Sequence, residues 1–521
     1  MASAAPKAGS ARQSETAITS KAGKPALAVE RRGLLTVAVM LAMIMQILDT
    51  TIANVALPHM ESSLGATMDS VTWVLTSYLV ATAVAIPITG WLADKIGSRN
   101  LFIFAVAAFI VASMLCGASQ NLGQMVLFRF LQGLAAAFIG PLSQTVMIDI
   151  NPPERHAKAM SIWGMGVMVG PIMGPVLGGW LTENYNWRWV FYVNLPVGLI
   201  TLAMLWALLP ARPQRERRFD LFGFSMLAIA LTAFQLMLDR GNHLDWFQSP
   251  EIWIEAGACV AALWVFLVHI VTGKHPLFER ELVTNANLMT SLIFMVVMGV
   301  VMFSSMALLP PLLQTLYGYP VIDTGFLLAA RGVGVLASMW MAGRLVGLID
   351  PRILVAIGMS IAAWSLWYMT GWSLEMNYWP IVISGVVQGL GIGLVFIPLN
   401  TIAFATLDPS LRPDGAGLLN LLRSIGAAAG ISVVSTLLAR NTQISHSDLA
   451  SHITDSTLSS ISSAMVDRLP GAGETVMSAV NAMVSRQALM IAYLDDFWLM
   501  AILTIAAVPL AIFLKKPRKQ A

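Results

Sequence analysis

Apolar runs of about twenty residues or more, parted by short polar breaks, recur along almost the whole chain. A helix of that length crosses the roughly 30 Å hydrocarbon core of a bilayer. In lipid every backbone N–H and C=O must be satisfied within the structure, and a helix does this within one segment. The pattern predicts fourteen spans, at 33–58, 72–93, 100–119, 123–148, 158–182, 188–209, 220–239, 250–271, 287–312, 322–346, 352–372, 376–405, 413–439 and 490–514. The fold class that follows is an all-α polytopic membrane protein.

Composition narrows the field further. Of 521 residues, 57% are apolar and 11% are charged, whereas a soluble domain carries about 25% charged residues. One soluble core cannot bury that much apolar surface, and a disordered chain has the opposite composition. Cys116 and Cys259 lie far apart inside apolar runs and read as small packing residues rather than as a disulfide. The net charge of +3 is small, so its placement matters more than its size, and it gives no reason to expect a nucleic-acid partner.

Basic residues concentrate in cytoplasmic loops of membrane proteins. With the N-terminus inside, one side carries Arg31, Arg32, Lys95, Arg99, Arg155, Lys158, the arginines at 212–218, Lys274, Arg280, Arg344, Arg352, Arg412 and the C-terminal basic cluster. The other side holds Arg188, Arg240, Arg440, Arg468 and Arg486, an asymmetry of about four to one. The expectation is a protein of the cytoplasmic (inner) membrane with both termini cytoplasmic. Its organisation reads as a disordered polar tail over 1–32, a six-helix bundle over 33–209, and a basic linker with two extra helices over 210–286. A second six-helix bundle covers 287–514, and a short tail follows at 515–521. Within the second bundle, 440–489 is expected to be a long external loop. Val476, Val480, Met483, Val484 and Ala488 recur there at helical spacing. Two readings stay open: a solvated loop with a helical lead into the last span, or a docking or gating element.

Charges inside the spans point to chemistry, because a charge in the bilayer core costs several kcal/mol and is kept for a function. Gln46, Asp49, Thr50 and Asn54 fall near one face of the first span. At 1.5 Å per residue, Asp49 lies about 14 Å, and Arg129 of the fourth span about 9 Å, below the outer ends of their helices. A guanidinium stabilises a neighbouring carboxylate as the anion, while burial favours the neutral acid. Such a pair can exchange a proton when a neighbour moves, which is the requirement for proton coupling. Arg331 and Arg423 are also embedded, and Asn420, Arg423 and Ser424 share a helical face. Asp323, Asp350, Glu375 and Asp408 all fall near span ends, so the expected inventory is one deep acid against three deep arginines. That balance favours a cavity for anionic or neutral amphipathic substrates. Tyr78, Gln132, Gln144, Trp163, Gln388 and Asn400 are further candidates for its lining.

The fifth predicted span carries Gly164, Gly166, Gly170, Gly174, Gly178 and Gly179 with Pro171 and Pro175. Small residues four apart let helices approach closely, and the Gly-Pro pairs suggest a hinge or seal. Met295, Met298, Met302 and Met306 form a stripe that reads as packing. No GxxxxGK[ST] loop occurs, so the chain encodes no phosphate-binding motor of that type, and Gly389, Gly391 and Gly393 lie inside a span without a βαβ context. No HExxH, CxxC or histidine cluster suggests a metal.

Several segments, in this order, resemble one family. LDTTIANVALP (48–58) is similar to a first-span motif with a membrane carboxylate, at Asp49 here, and TWVLTSYLVA (72–81) to a second-span signature. GWLADKIGSRNLF (90–102) resembles a gating loop motif with Gly90, Asp94, Gly97 and Arg99 in place, although Asn100 stands where a basic residue is common. RFLQGLAAAFIGP (129–141) and GPIMGPVLGGWL (170–181) resemble the fourth-span and antiporter motifs, and NWRWVFYVNLPVG (186–198) and LDRGNHLDWF (238–247) add to the likeness. The chain is identified on these residues as similar to the major facilitator superfamily, in its 14-span drug:proton antiporter subfamily of EmrB type.

The resemblance implies two pseudo-symmetric six-helix bundles plus two extra central helices, and alternating access to a central cavity. It implies proton coupling through Asp49 and Arg129 and a charge latch at Asp94 and Arg99, with no cofactor beyond the proton gradient. It also implies an EmrA-like periplasmic adaptor and an outer-membrane channel as partners in a Gram-negative cell. The expected function is export of lipophilic small molecules in exchange for protons. The alternatives are an exporter of one endogenous metabolite, such as a siderophore or fatty acid, and a non-transporting scaffold or sensor.

Overall fold

A computed structural model describes residues 25–212, 214, 217–242, 244–452 and 472–514. Fourteen helices among them are long and apolar enough to cross a membrane. They are numbered here as spans 1–14: Arg32–Leu64, Trp73–Ile96, Ser98–Ala118, Leu122–Asp149, Pro153–Asn184, Trp189–Leu208, Leu221–Arg240, Pro250–Thr272, Ala286–Leu316, Ile322–Leu345, Pro351–Met369, Trp379–Ala405, Pro409–Ser451 and Ser478–Phe513.

The spans form two bundles with the same internal pattern. Span 1 packs on spans 5 and 6, span 2 on span 4, and span 3 on spans 4 and 6. Eight spans later the arrangement repeats: span 9 packs on spans 13 and 14, span 10 on span 12, and span 11 on spans 12 and 14. Close helix approach requires small residues, and two matched glycines provide it. A Cβ on Gly133 of span 4 would overlap the Tyr78 carbonyl of span 2, and one on Gly389 of span 12 would overlap the Arg331 carbonyl of span 10. Each glycine follows a glutamine, Gln132 or Gln388.

The bundles meet mainly through span 5 on span 10 and span 4 on span 13. Spans 7 and 8 pair with each other, and span 7 also touches spans 2 and 13. Thr76 Oγ1 of span 2 donates to Asp239 Oδ2 of span 7 at 2.6 Å. Ser432 Oγ of span 13 donates to the Leu238 carbonyl at 2.9 Å. The extra pair therefore stitches one helix of each bundle rather than lying apart from them.

Two expectations change. The tail expected to be disordered over 1–32 is docked in its last part, where Leu27 N donates to the Asp149 carbonyl at 2.8 Å and Leu27 and Val29 pack on the core; residues 1–24 and 515–521 lie outside the described set. The 440–489 segment is not a loop throughout. A single helix of 40 residues runs from Arg412 to Ser451, about 60 Å at 1.5 Å per residue, and so outruns the ~30 Å hydrocarbon core. The last helix begins at Ala472 and continues to Ala507. Outside the predicted spans the two are linked by His446 Nε2 and Asn481 Oδ1, 3.0 Å apart. Residues 453–471 lie outside the described residues. The methionine stripe agrees with its reading as packing: Met295, Met298 and Met302 are buried.

Candidate functional site

Asp49 is turned into the first bundle and is 1% exposed. Its position follows from packing on both sides. Gly170, Gly174 and Gly178 of span 5 seat span 1 at Ile47, Thr51 and Ile52, and span 5 stays one unbroken helix through Pro171 and Pro175. Open space surrounds Gly179. On the other side, the close approach at Gly133 brings Arg129, one turn earlier, to the backbone of span 2. There Arg129 Nε donates to the Val74 carbonyl at 3.2 Å.

The carboxylate is held by three side chains from two spans. Arg129 Nη1 of span 4 donates to Asp49 Oδ2 at 2.7 Å. Gln132 Nε2 donates to Asp49 Oδ1 at 2.9 Å, and Asn194 Nδ2 of span 6 to the same oxygen at 2.7 Å. Gln132 Oε1 accepts from Arg129 Nη1 at 2.8 Å, and Ser113 Oγ of span 3 accepts from Asn194 at 2.9 Å. The guanidinium carbon lies 4.4 Å from the centroid of the Tyr78 ring, a cation–π contact strengthened by desolvation. Arg129 Nη2 is buried without an acceptor among the described residues. Breaking such a buried pair by removing one partner costs about 3–5 kcal/mol.

Sequence reasoning paired Asp49 with Arg129 but assigned Gln132 and Tyr78 to the cavity lining and missed Asn194 and Ser113. It also read Cys116 as packing only, whereas its sulfur lies 3.6 Å from Gln132 Oε1. The face expected to join Gln46, Asp49, Thr50 and Asn54 divides. Asp49 points inward, Asn54 is exposed, Gln46 is half-buried, and Thr50 Oγ1 bonds back to the Ile47 carbonyl at 2.8 Å.

A second polar group spans the bundle interface. Asn420 Nδ2 of span 13 donates to Gln144 Oε1 of span 4 at 2.8 Å. Gln144 Nε2 lies 3.4 Å from Asn400 Oδ1 of span 12, and Arg423 Nη2 donates to Asn420 Oδ1 at 2.9 Å. Trp163 of span 5 stacks on Phe396 of span 12 at 5.9 Å and donates to Ser143 Oγ at 2.8 Å. These residues were expected to line the substrate cavity. Here Gln144, Asn400 and Asn420 are buried and bonded to one another, so the interface is closed at this level. Arg331 and Gln388 lie apart within the second bundle, bonded to the Met302 carbonyl at 3.1 Å and to Ser305 Oγ at 3.0 Å.

The latch expected from Asp94 and Arg99 takes another form. Arg99 Nε and Nη2 donate at 2.6 Å each to the carbonyls of Leu209 and Trp206, covering the C-terminal end of span 6. The cross-bundle charge is supplied by the linker. Arg217 Nη1 lies 2.8 Å from Asp414 Oδ2 of span 13 and 3.9 Å from Asp94 of span 2. Asp149 at the end of span 4 pairs with Arg412 of span 13 at 2.6 Å and with Arg212 at 3.2 Å. Gly90 is required here, because a side chain at that position would occupy the space of the Asp414 carboxylate. Gly97 ends its helix with φ at +88°, a conformation open to glycine.

The expectation of a single deep acid also fails. Asp496 of span 14 is 1% exposed, and the span containing it reaches farther back than predicted.

The comparisons with known proteins agree with this architecture. Residues 39–431 match the Major Facilitator Superfamily. The chain is 36% identical over 488 residues to the fatty acid resistance protein FarB of Neisseria gonorrhoeae, covering 92% of this chain and 94% of FarB. It is 33% identical over 494 residues to the multidrug export protein EmrB of Escherichia coli (strain K12), covering 93% and 95%. A crystal structure of the human organic anion transporter MFSD10 (TETRAN) superposes with a TM-score of 0.59 at 13% identity, over 91% of this chain and 99% of that one, a likeness of fold. With its fourteen apolar helices and paired six-helix bundles, the chain is a multi-pass membrane protein that belongs to the major facilitator superfamily of transporters.

Proposed function

We propose that the protein is a proton-coupled antiporter that exports hydrophobic or amphipathic compounds from the cytoplasm or the inner leaflet by alternating access. The observation that carries this reading is the Asp49 cage, a buried carboxylate gripped by donors from spans 4 and 6. Asp49 binds a proton in the outward-open state as substrate leaves. In the inward-open state the proton departs and substrate binds. Arg129 biases that exchange by stabilising the anion. Two sites coupled through a shared conformational change are what exchange requires, and the bundle interface supplies the moving part.

The substrate class follows from charge. Arg423 reaches the interface network and has a neutral amide, Asn420, as its partner. An anionic or neutral amphiphile is therefore better received than a dication. The names of the two relatives, multidrug export and fatty acid resistance, suit this class. The fatty-acid name favours a second reading, an exporter dedicated to one acidic amphiphilic metabolite. Both readings place the protein in the inner membrane with cytoplasmic termini, driven by the proton gradient without a cofactor. Both also leave a place for a periplasmic adaptor and outer-membrane channel at the helical extension of spans 13 and 14.

The test uses proteoliposomes with an imposed pH gradient and a lumenal pH dye. An anionic, a neutral and a cationic lipophile are added in turn. Proton movement triggered by the anion or the neutral probe, and lost in Asp49→Asn, supports the proposal. A response to the cation alone overturns the charge reading, and no response to any probe overturns broad antiport.

A further inference from the structure

Span 14 carries a buried carboxyl group that the proposed cycle does not use. Asp496 is 1% exposed, and neither carboxyl oxygen has a hydrogen-bond partner among the described residues. Tyr493, Phe497 and Met500, within a turn of it on the same helix, belong to a buried apolar cluster with Leu312, Leu366 and Trp372. Trp372 packs edge-on against Phe497 at 5.7 Å, and its Nε1 is also buried without a partner. An orphaned donor and an orphaned acceptor pair thus belong to one neighbourhood.

The elements packed on this part of span 14 are spans 9, 11 and 13. Their titratable and charged groups, with those of span 14 itself, are Tyr493, Asp495 and Arg486 on span 14, Tyr317 and Tyr319 after span 9, Arg352 and Tyr368 on span 11, and Arg412, Asp414, Arg423, Arg440, His446 and Asp448 on span 13. The guanidinium of Arg486 donates to the Leu316 carbonyl at 2.6 Å. No described cation lies within ion-pairing distance of Asp496. An ionised carboxylate without a donor or counter-charge is among the most costly groups to bury. A metal cation would need several oxygen ligands, and leucine, methionine and phenylalanine side chains supply none.

We infer that Asp496 is a second proton-binding site of the transporter, separate from the Asp49 cage and carrying a proton in this conformation. A proton binds to one Oδ of the carboxylate to give the neutral acid, with no other bond made or broken. The cluster contains Leu309, Leu312 and Leu316 from the end of span 9 that leads into the 9–10 connection. This places the site toward the side of the helical extension and away from the linker. The site itself does not depend on the proposed antiport; only its use in transport does.

Infrared difference spectroscopy on the full chain in lipid nanodiscs tests this without any substrate. Wild type and Asp49→Asn should both show the C=O stretch of a buried neutral carboxylic acid. Asp496→Asn should lose that band, and Asp495→Asn should keep it. If Asp496→Asn does not fold, Asp496→Glu should shift the band. A spectrum without a neutral-acid band, or a band unchanged by both Asp496 variants, overturns the inference. Loss of the band in Asp496→Asn alongside failed proton flux in liposomes would keep this site and reject antiport.

Discussion

Asp49 illustrates how a single residue's environment sets its chemistry. Its two oxygens accept three short hydrogen bonds from Arg129, Gln132 and Asn194, and hydrogen bonds to a charged group contribute about 1.5–3 kcal/mol each. Asn194→Ala removes one of them without touching the ion pair. The expected outcome is about a tenfold loss of substrate-driven proton flux with normal membrane insertion, measured in liposomes against wild type. Asp49 and Arg129 were legible because charges inside apolar runs stand out. Asn194 was not, since a neutral amide inside the predicted span 188–209 does not stand out as a charge does. Asp496 lies inside the predicted span 490–514 and was left out of the inventory of deep acids; its burial depends on spans 9, 11 and 13, which pack on span 14 only in the assembled bundle.

At the scale of one helix, the glycines of span 5 separate into two groups. Side chains at Gly170 and Gly174 would run into Ile47 and Thr51, whereas Gly179 faces open space. Gly174→Leu should lower the stability of the bundle by about 1–3 kcal/mol, as overpacking does, seen as an earlier thermal transition in detergent. Gly179→Ala should leave that transition within error of wild type. The spacing of these glycines announced close packing, but the partner helix could not be read from one sequence. The extension of span 13 was hidden for another reason. Ser445, His446, Ser447 and Asp448 have the polarity of a loop, yet contact with the last helix through Asn481 keeps them helical, since tertiary packing outweighs local propensity.

On the scale of the whole molecule, two charge clusters close the linker end of the interface, one through Arg412 and Asp149 and one through Arg217 and Asp414. The sequence marked these arginines as topology signals; their partners lie some 200 or more positions away and emerge only when the bundles are assembled. Arg217→Ala combined with Arg412→Ala should open that end. A cysteine introduced as Gln144→Cys in a cysteine-free background should then react with a water-soluble maleimide at least ~10-fold faster. A tenfold change needs only about 1.4 kcal/mol, a fraction of what breaking a buried pair costs. Fourteen spans were legible because lipid leaves the backbone few choices; the twofold plan of the bundles was implied by the family resemblance. Whether the assembled molecule exchanges substrate for protons is tested most directly by following the pH of a weakly buffered sample of purified protein as substrate is added. The expected result is a proton released by wild type on substrate binding and none released by Asp49→Asn; equal release by both, or none from wild type with substrate demonstrably bound, would contradict coupling at Asp49.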